Sequence, residues 1–216
     1  MEIHILTPFY KKDLAASLVY YWRQHNIYWY PLMAPSDYVE FPNEDWIRPT
    51  MVEELKKGEN CFVKVDYFRN HYPIIDSDYY GVTCDETMYE PGFMDILKQQ
   101  TAKIVMCSSY RGNAVPRDGS APHPTTPLII KGLQNIKYCG IGMGQWFVNG
   151  EILKTVPYKE GHRYDDGHYA VELKKRYGTD IVFLPDWFSL ANYLQKGRHT
   201  KKERFLKPNW ELPEYK

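Results

Sequence analysis

Residues 2–33 carry the pattern that most narrows the possible folds. Glu2-Ile3-His4-Ile5-Leu6-Thr7 alternates and stops at Pro8, the signature of a strand ended by proline. Residues 11–25 place Leu14, Leu18, Tyr21 and Trp22 at helical spacing, and residues 27–33 are an aromatic, β-rich run. Strand, helix, strand is a βαβ unit, which pairs its strands in parallel with a right-handed crossover.

The rest of the chain continues the alternation. Residues 35–49 form a loop rich in Pro, Asp and Asn. Residues 50–57 read as a short helix with Thr50 as N-cap and Glu53 at capping-box spacing. Strands are expected over 60–65, 79–84, 102–108, 141–148 and 180–184, and helices over 93–100 and 165–177, the last carrying Tyr169, Val171, Leu173 and Tyr177 as its apolar positions. Residues 111–127 form a proline-rich loop, of a length that in a compact domain is usually functional. No repeat or linker interrupts the 216 residues. The expectation is a single α/β domain over 1–216, Rossmann-like, with a mainly parallel central sheet flanked by helices.

Composition closes off several functions. The 27 basic and 27 acidic side chains balance, so no general attraction to nucleic acid or anionic membranes is expected. No stretch approaches the roughly 20 apolar residues of a membrane span. Cys61, Cys84, Cys107 and Cys139 are spaced for neither a zinc site nor a disulfide framework, and Glu2 stands where a signal peptide would carry basic residues. A reduced, cytoplasmic protein is expected. Nineteen tyrosines and six tryptophans are enough to line a surface suited to sugar rings or bases as well as to fill a core.

Open α/β sheets bind ligands outside the carboxyl ends of their strands. Polar clusters fall there: Thr7-Pro8-Phe9-Tyr10 after the first strand, Asp85-Glu86-Thr87 after the fourth, and Tyr164-Asp165-Asp166-Gly167 at a helix start. A basic run, Gly197-Arg198-His199-Thr200-Lys201-Lys202, lies within residues 196–207, where six bases and one acid give 6 − 1 = +5. Acids and bases converging on one edge suit a metal and diphosphate site.

These motifs, in this order, resemble the GT-A glycosyltransferases, in particular the inverting family-2 type, over roughly residues 3–187. Thr7-Pro8-Phe9-Tyr10 resembles the family's first-strand turn beside the nucleotide, and Arg69-Asn70 its Arg-Asn pair. Asp85-Glu86, followed by Tyr89-Glu90-Pro91-Gly92, resembles the Asp-x-Asp motif and the helix start after it. Tyr164-Asp165-Asp166 resembles the Glu-Asp pair whose second acid is the catalytic base. Two registers remain open: counting back from Pro91-Gly92 sets Cys84-Asp85-Glu86 on Asp-x-Asp, and counting forward from Arg69-Asn70 sets Asp85-Glu86-Thr87 there. The acid that ends the family's second strand is absent, and Asp37 is a distant substitute.

The resemblance implies a metal-dependent, inverting glycosyltransferase that moves a sugar from a nucleotide-diphosphate donor, such as a UDP-sugar, to a glycan or other hydroxyl acceptor. Asp166, with Asp165 beside it, would deprotonate the acceptor. Thr7, Pro8, Phe9, Tyr10, Arg69, Asp85, Arg198 and Lys201 would bind the nucleotide. Asp85, Glu86 and His199 would hold Mn²⁺ or Mg²⁺, which favour oxygen-rich ligand sets. The acceptor would meet the loop around His123 and the aromatics Trp146, Trp187 and Tyr193. Residues 1–100 would then form a nucleotide-binding half, 101–195 an acceptor-binding half and 196–216 a basic tail. The competing readings are a non-catalytic nucleotide- or carbohydrate-binding module on the same fold, and a sugar nucleotidyltransferase. The latter wants a glycine-rich phosphate loop where Lys11 and Lys12 stand.

Overall fold

A computed structural model describes residues 1–55, 61–84, 87–89, 92–111, 144–158, 165–178 and 180–191. Within these it leaves out the side chains of 108–111, 165–166, 185–188 and 190–191. The expected βαβ opening is present. β1 (Ile3–Pro8) is followed by α1 (Ala15–Trp22) and β2 (Tyr28–Met33), and β2 pairs with β1 in parallel, His4 opposite Tyr28 and Pro8 opposite Leu32.

β3 (Thr50–Met51), α2 (Phe62–His71), β4 (Tyr79–Val82), β5 (Met88–Tyr89) and α3 (Phe93–Lys98) follow. Then come β6 (Ile104–Arg111), β7 (Trp146–Asn149), α4 (Gly150–Thr155), α5 (Asp165–Tyr177) and β8 (Ile181–Ala191). The strands form one eight-stranded sheet in the order β3-β2-β1-β4-β7-β6-β8-β5. All but β5 and β7 run in the same direction. The mainly parallel sheet expected from sequence is therefore observed.

Two expectations are corrected. Thr50 and Met51 pair in parallel with Leu32 and Met33 instead of opening a helix, and the Thr50 hydroxyl donates to the Arg48 carbonyl. Of the run read as a strand over 60–65, Phe62, Val63, Lys64 and Val65 belong to α2. Phe62, Val65 and Phe68 recur at helical spacing and all enter the core, so burial of that stripe outweighs the strand propensity of Val63 and Val65.

The sheet is covered on both faces, as alternation along its strands requires. Leu6, Leu32, Tyr80, Val82, Ile104, Met106, Trp146 and Val148 face α2, α4 and α5, with Tyr169, Ala170 and Leu173 from α5. Ile3, Ile5, Trp29, Tyr79, Val105, Cys107 and Phe147 face α1 and α3. The stripe on α5 is thus Tyr169-Ala170-Leu173 with the partly buried Tyr177 packed against the same core, and Val171, two residues after Tyr169, lies off it at intermediate burial. At Gly81 the strands approach so closely that a Cβ would lie 2.4 Å from the Phe147 ring.

β8 is longer than expected because its pairing with β6 skips from Leu184 to Phe188. The skipped segment begins with Pro185, which has no N–H for the ladder. None of the helices among the described residues is long and apolar enough to cross a membrane.

Candidate functional site at the carboxyl edge

The parallel strands β1 to β4 all end on one edge of the sheet, and several elements deliver side chains to it. Thr7, in the last turn of β1 pairing, is fully buried. Its hydroxyl shares a hydrogen bond with that of Thr83 (2.9 Å) and accepts one from Trp29 Nε1 (3.0 Å). Pro8 is buried, and Phe9 packs edge-on against Phe41 at 5.6 Å in the α1 face of the core. Tyr10 is the member of this turn that reaches solvent, at 39% exposure. Of the four residues read from sequence as nucleotide-contacting, three build the wall and one presents a surface.

A residue not singled out in the sequence stands behind that surface. Lys64, in the first turn of α2, has no exposed surface. Its ammonium donates to the Phe9 carbonyl at 2.9 Å and to Asp37 Oδ2 at 2.7 Å, and it lies 3.7 Å from the centroid of the Tyr10 ring. Removing an ammonium from water costs several kcal/mol, so a carboxylate, a carbonyl and a ring face must all be held in place to offset it. Asp37 ends the 3₁₀ turn Pro35–Asp37 just after β2, which brings it to the same edge. Reading 60–65 as a strand hid Lys64. The available signal was a lone charge inside the apolar run Cys61-Phe62-Val63-Lys64-Val65.

Other expected residues divide between this edge and the rest of the molecule. α5 precedes β8, which runs parallel to β6, so the helix begins at the carboxyl edge with Asp165 and Asp166 in its opening turn. Their carboxylates, and Asp85, Glu86, Arg198, His199 and Lys201, lie outside the described residues, as do His123, Tyr193, the glycine run before Gly144 and the side chain of Trp187. Just before Asp85, the Cys84 thiol makes a 2.9 Å hydrogen bond with the Thr87 hydroxyl. Among the described residues no group of three or more His, Cys, Asp or Glu could hold a metal ion.

Arg69 and Trp146 are placed differently from the expectation. Arg69 lies in the last turn of α2, at the opposite edge where β4 begins. Its guanidinium donates to Asp66 (3.1 Å) and to the carbonyl of Lys154 in α4 (3.3 Å), joining two helices. Trp146 is at the correct edge but has no exposed surface. It tilts against Tyr169 at 4.8 Å and Tyr158 at 6.0 Å within the core, so it supports the edge from beneath rather than gripping an acceptor. His4 bridges Asp78 (3.1 Å) and the Tyr30 hydroxyl (3.2 Å) and stacks on Tyr80 at 4.5 Å. Burial lowers its pKa from the usual value, against the pull of Asp78.

No family model matches the chain. No curated protein matches it either. Among solved structures, residues 1–349 of TarS from S. aureus, a GT-A glycosyltransferase, align with a TM-score of 0.56 at 8% identity, over 87% of this chain and 60% of that one. The chain thus spans 60% of that fragment's length. The Francisella tularensis 2-C-methyl-D-erythritol 4-phosphate cytidylyltransferase IspD aligns with a TM-score of 0.47 at 10% identity, over 86% of this chain and 90% of that one. At such low identity the likeness to TarS is one of fold, and by that likeness and its own sheet topology the chain has a GT-A-like fold.

Proposed function

We propose that the protein is a nucleotide-sugar-dependent glycosyltransferase working at the carboxyl edge. The observation that carries this reading is the meeting there of the Phe9-Tyr10 turn, the Asp37 carboxylate beside it, and the start of α5 with Asp165 and Asp166. A flat aromatic and a carboxylate suit a nucleobase. An acid in the first turn of a helix that begins at the same edge suits proton transfer from an acceptor.

In this reading the acceptor oxygen attacks the anomeric carbon as the bond to the diphosphate breaks. The nucleoside diphosphate leaves with the bonding electrons, and Asp166 takes the acceptor's proton, inverting the anomeric centre. Asp85 and Glu86 follow β4 and offer oxygen ligands, and the Cys84 sulfur is hydrogen-bonded to Thr87, so the donor set fits Mn²⁺ or Mg²⁺ better than a thiophilic ion. A divalent cation held by these residues, with His199 as a further ligand, would neutralise charge on the leaving diphosphate. Arg198 and Lys201 would add positive charge to the same phosphates.

The test is Asp166→Asn assayed for sugar transfer or donor hydrolysis across a panel of nucleotide sugars. The expected result is unchanged donor affinity with turnover lowered by about 10²–10⁴-fold. Turnover equal to wild type would remove Asp166 as the base. Wild-type protein that binds nucleotide sugars without turning over any of them would make this a binding module.

A further inference from the structure

We propose that His4 is the sensor of a proton-operated latch: protonation of its ring releases the Arg48 side chain from Tyr30 at the outer edge of the sheet. The inference is independent of the transferase reading and uses residues at the amino edge, away from the candidate site. His4 is 4% exposed and stacks between the rings it pairs with on the neighbouring strands, Tyr28 of β2 at 5.4 Å and Tyr80 of β4 at 4.5 Å. Both of its nitrogens are engaged, Nε2 with Asp78 Oδ2 at 3.1 Å and Nδ1 with the Tyr30 hydroxyl at 3.2 Å. Arg48 completes the chain. Its guanidinium donates to the same Tyr30 oxygen at 3.3 Å and lies 4.2 Å from the centroid of the Tyr28 ring.

The two ends of the chain fix every proton between them. Arg48 can only donate, and an ionised Asp78 can only accept. Neutral His4 therefore carries its proton on Nε2, facing Asp78, and its Nδ1 accepts from Tyr30, whose oxygen accepts from Arg48. A second proton on His4 reverses one link. Nδ1 then donates to the Tyr30 oxygen, and the phenol hydrogen must swing toward Arg48, where it meets another donor. His4 cannot turn aside, because two rings and Asp78 hold it, and Asp78 is itself anchored through Oδ1 by the Glu2 N–H at 2.8 Å. The adjustment falls on Arg48, the exposed member. Arg48 ends a segment that lines β2: the Trp29 N–H donates to the Trp46 carbonyl and the Arg48 N–H to the Trp29 carbonyl, both at 2.8 Å, and β3 follows. Burial is the largest influence on the ring and holds it neutral at pH 7, so the latch opens below 6.5. Of the charges around it, Asp78 and Glu2 favour the second proton and Arg48 opposes it. The other titratable neighbours are Tyr28, Tyr30 and Tyr80, and α2 meets Tyr30 through the apolar Phe68 at 5.0 Å.

The experiment follows the full chain, isotope-labelled at nitrogen, by NMR from pH 7 down through the protonation of His4. Neutral His4 is expected as the Nε2–H tautomer. The order of the Arg48 Nε–H, read from relaxation, should fall with the same midpoint as the His4 titration. Protection of the Arg48 amide against exchange, corrected for the intrinsic rate at each pH, should drop by about tenfold with it. Tyr30→Phe removes the hydroxyl that joins the two residues, so Arg48 should be as mobile at pH 7 as acid makes it in wild type, with no further change. His4→Gln keeps an amide donor for Asp78 and takes up no proton in this range. Arg48 should then stay ordered throughout, which keeps the proposal testable if Tyr30→Phe does not fold. An Nδ1–H tautomer, an Arg48 that stays ordered while His4 titrates, or an acid response retained in either variant would overturn the inference. Unfolding of the whole chain before His4 takes its proton would overturn it too.

Discussion

His25 gives a prediction whose size can be worked from its surroundings. It follows α1, with its backbone N–H donating to the Trp22 carbonyl (3.0 Å) and its ring edge-on to Tyr21 at 4.7 Å and Trp22 at 5.7 Å. Burial among these rings disfavours the charged imidazolium and pushes the pKa from 6.5 down to about 4, against a smaller opposing pull from Asp95. The unfolded chain therefore binds a proton that the folded chain refuses. The stabilising contribution is complete above the unfolded pKa and is lost as the pH falls from 6.5 towards 4. At about 1.4 kcal/mol per pKa unit, the part lost between pH 7 and pH 5 comes to about 2 kcal/mol. Most carboxylates stay ionised over that window.

Urea unfolding of wild type and His25→Phe at the two pH values isolates this contribution. Phenylalanine keeps the aromatic edge contacts and has no proton to bind. His4, which shifts in the same direction, is present in both proteins and cancels. Wild type should lose about 2 kcal/mol more than the variant on going from pH 7 to pH 5. Equal losses would refute the reasoning, because His25 would then titrate alike in the folded and unfolded chains.

Two tyrosines should respond oppositely to removal of the hydroxyl. The Tyr21 hydroxyl accepts from the Tyr89 N–H (2.5 Å) and donates to its carbonyl (3.3 Å), so Tyr21→Phe strands a buried backbone pair of β5 and should cost about 1–3 kcal/mol in urea unfolding. The buried Tyr169 hydroxyl has no hydrogen-bond partner among the described residues, so Tyr169→Phe should be neutral or stabilising in the same assay. A loss of more than about 1 kcal/mol there would mean that the hydroxyl is bonded to water or another group.

How much of this was legible in the sequence depended on whether local pattern and tertiary packing agreed. β1, α1 and β2 are readable because alternation gives way to helical spacing and then to an aromatic, β-rich run. The bounds of α5 coincide with the expected 165–177, since both its start at Asp165-Asp166 and its stripe are written locally. In residues 50–65 the local signals opposed the packing. Thr50 and Glu53 imitate a capping box, yet Thr50 belongs to an edge strand, and Val63 and Val65 favour a strand inside what becomes α2.

The site followed the same rule. Thr7-Pro8-Phe9-Tyr10 was readable as a turn at the ligand-binding edge. That Phe9 would point inward and Tyr10 outward depends on Phe41, distant in sequence. Asp37 was a weak candidate by spacing alone. It gains meaning from Lys64, 27 residues away, through a contact that no local period encodes. Arg69 matched a motif, but the geometry of α2 carries it to the opposite edge, where Asp66 and Lys154 engage it.

The most direct test of the central claim is the thermal unfolding of the protein with each nucleoside diphosphate, with and without Mn²⁺. A ligand near 100 times its dissociation constant adds roughly 2.7 kcal/mol. For a domain of this size, that raises the midpoint by about 5–10 °C. The account predicts such a shift for a preferred nucleoside diphosphate, dependent on Mn²⁺ and abolished in the Asp85→Ala/Glu86→Ala double variant. No shift with any nucleotide, with or without the metal, would contradict it.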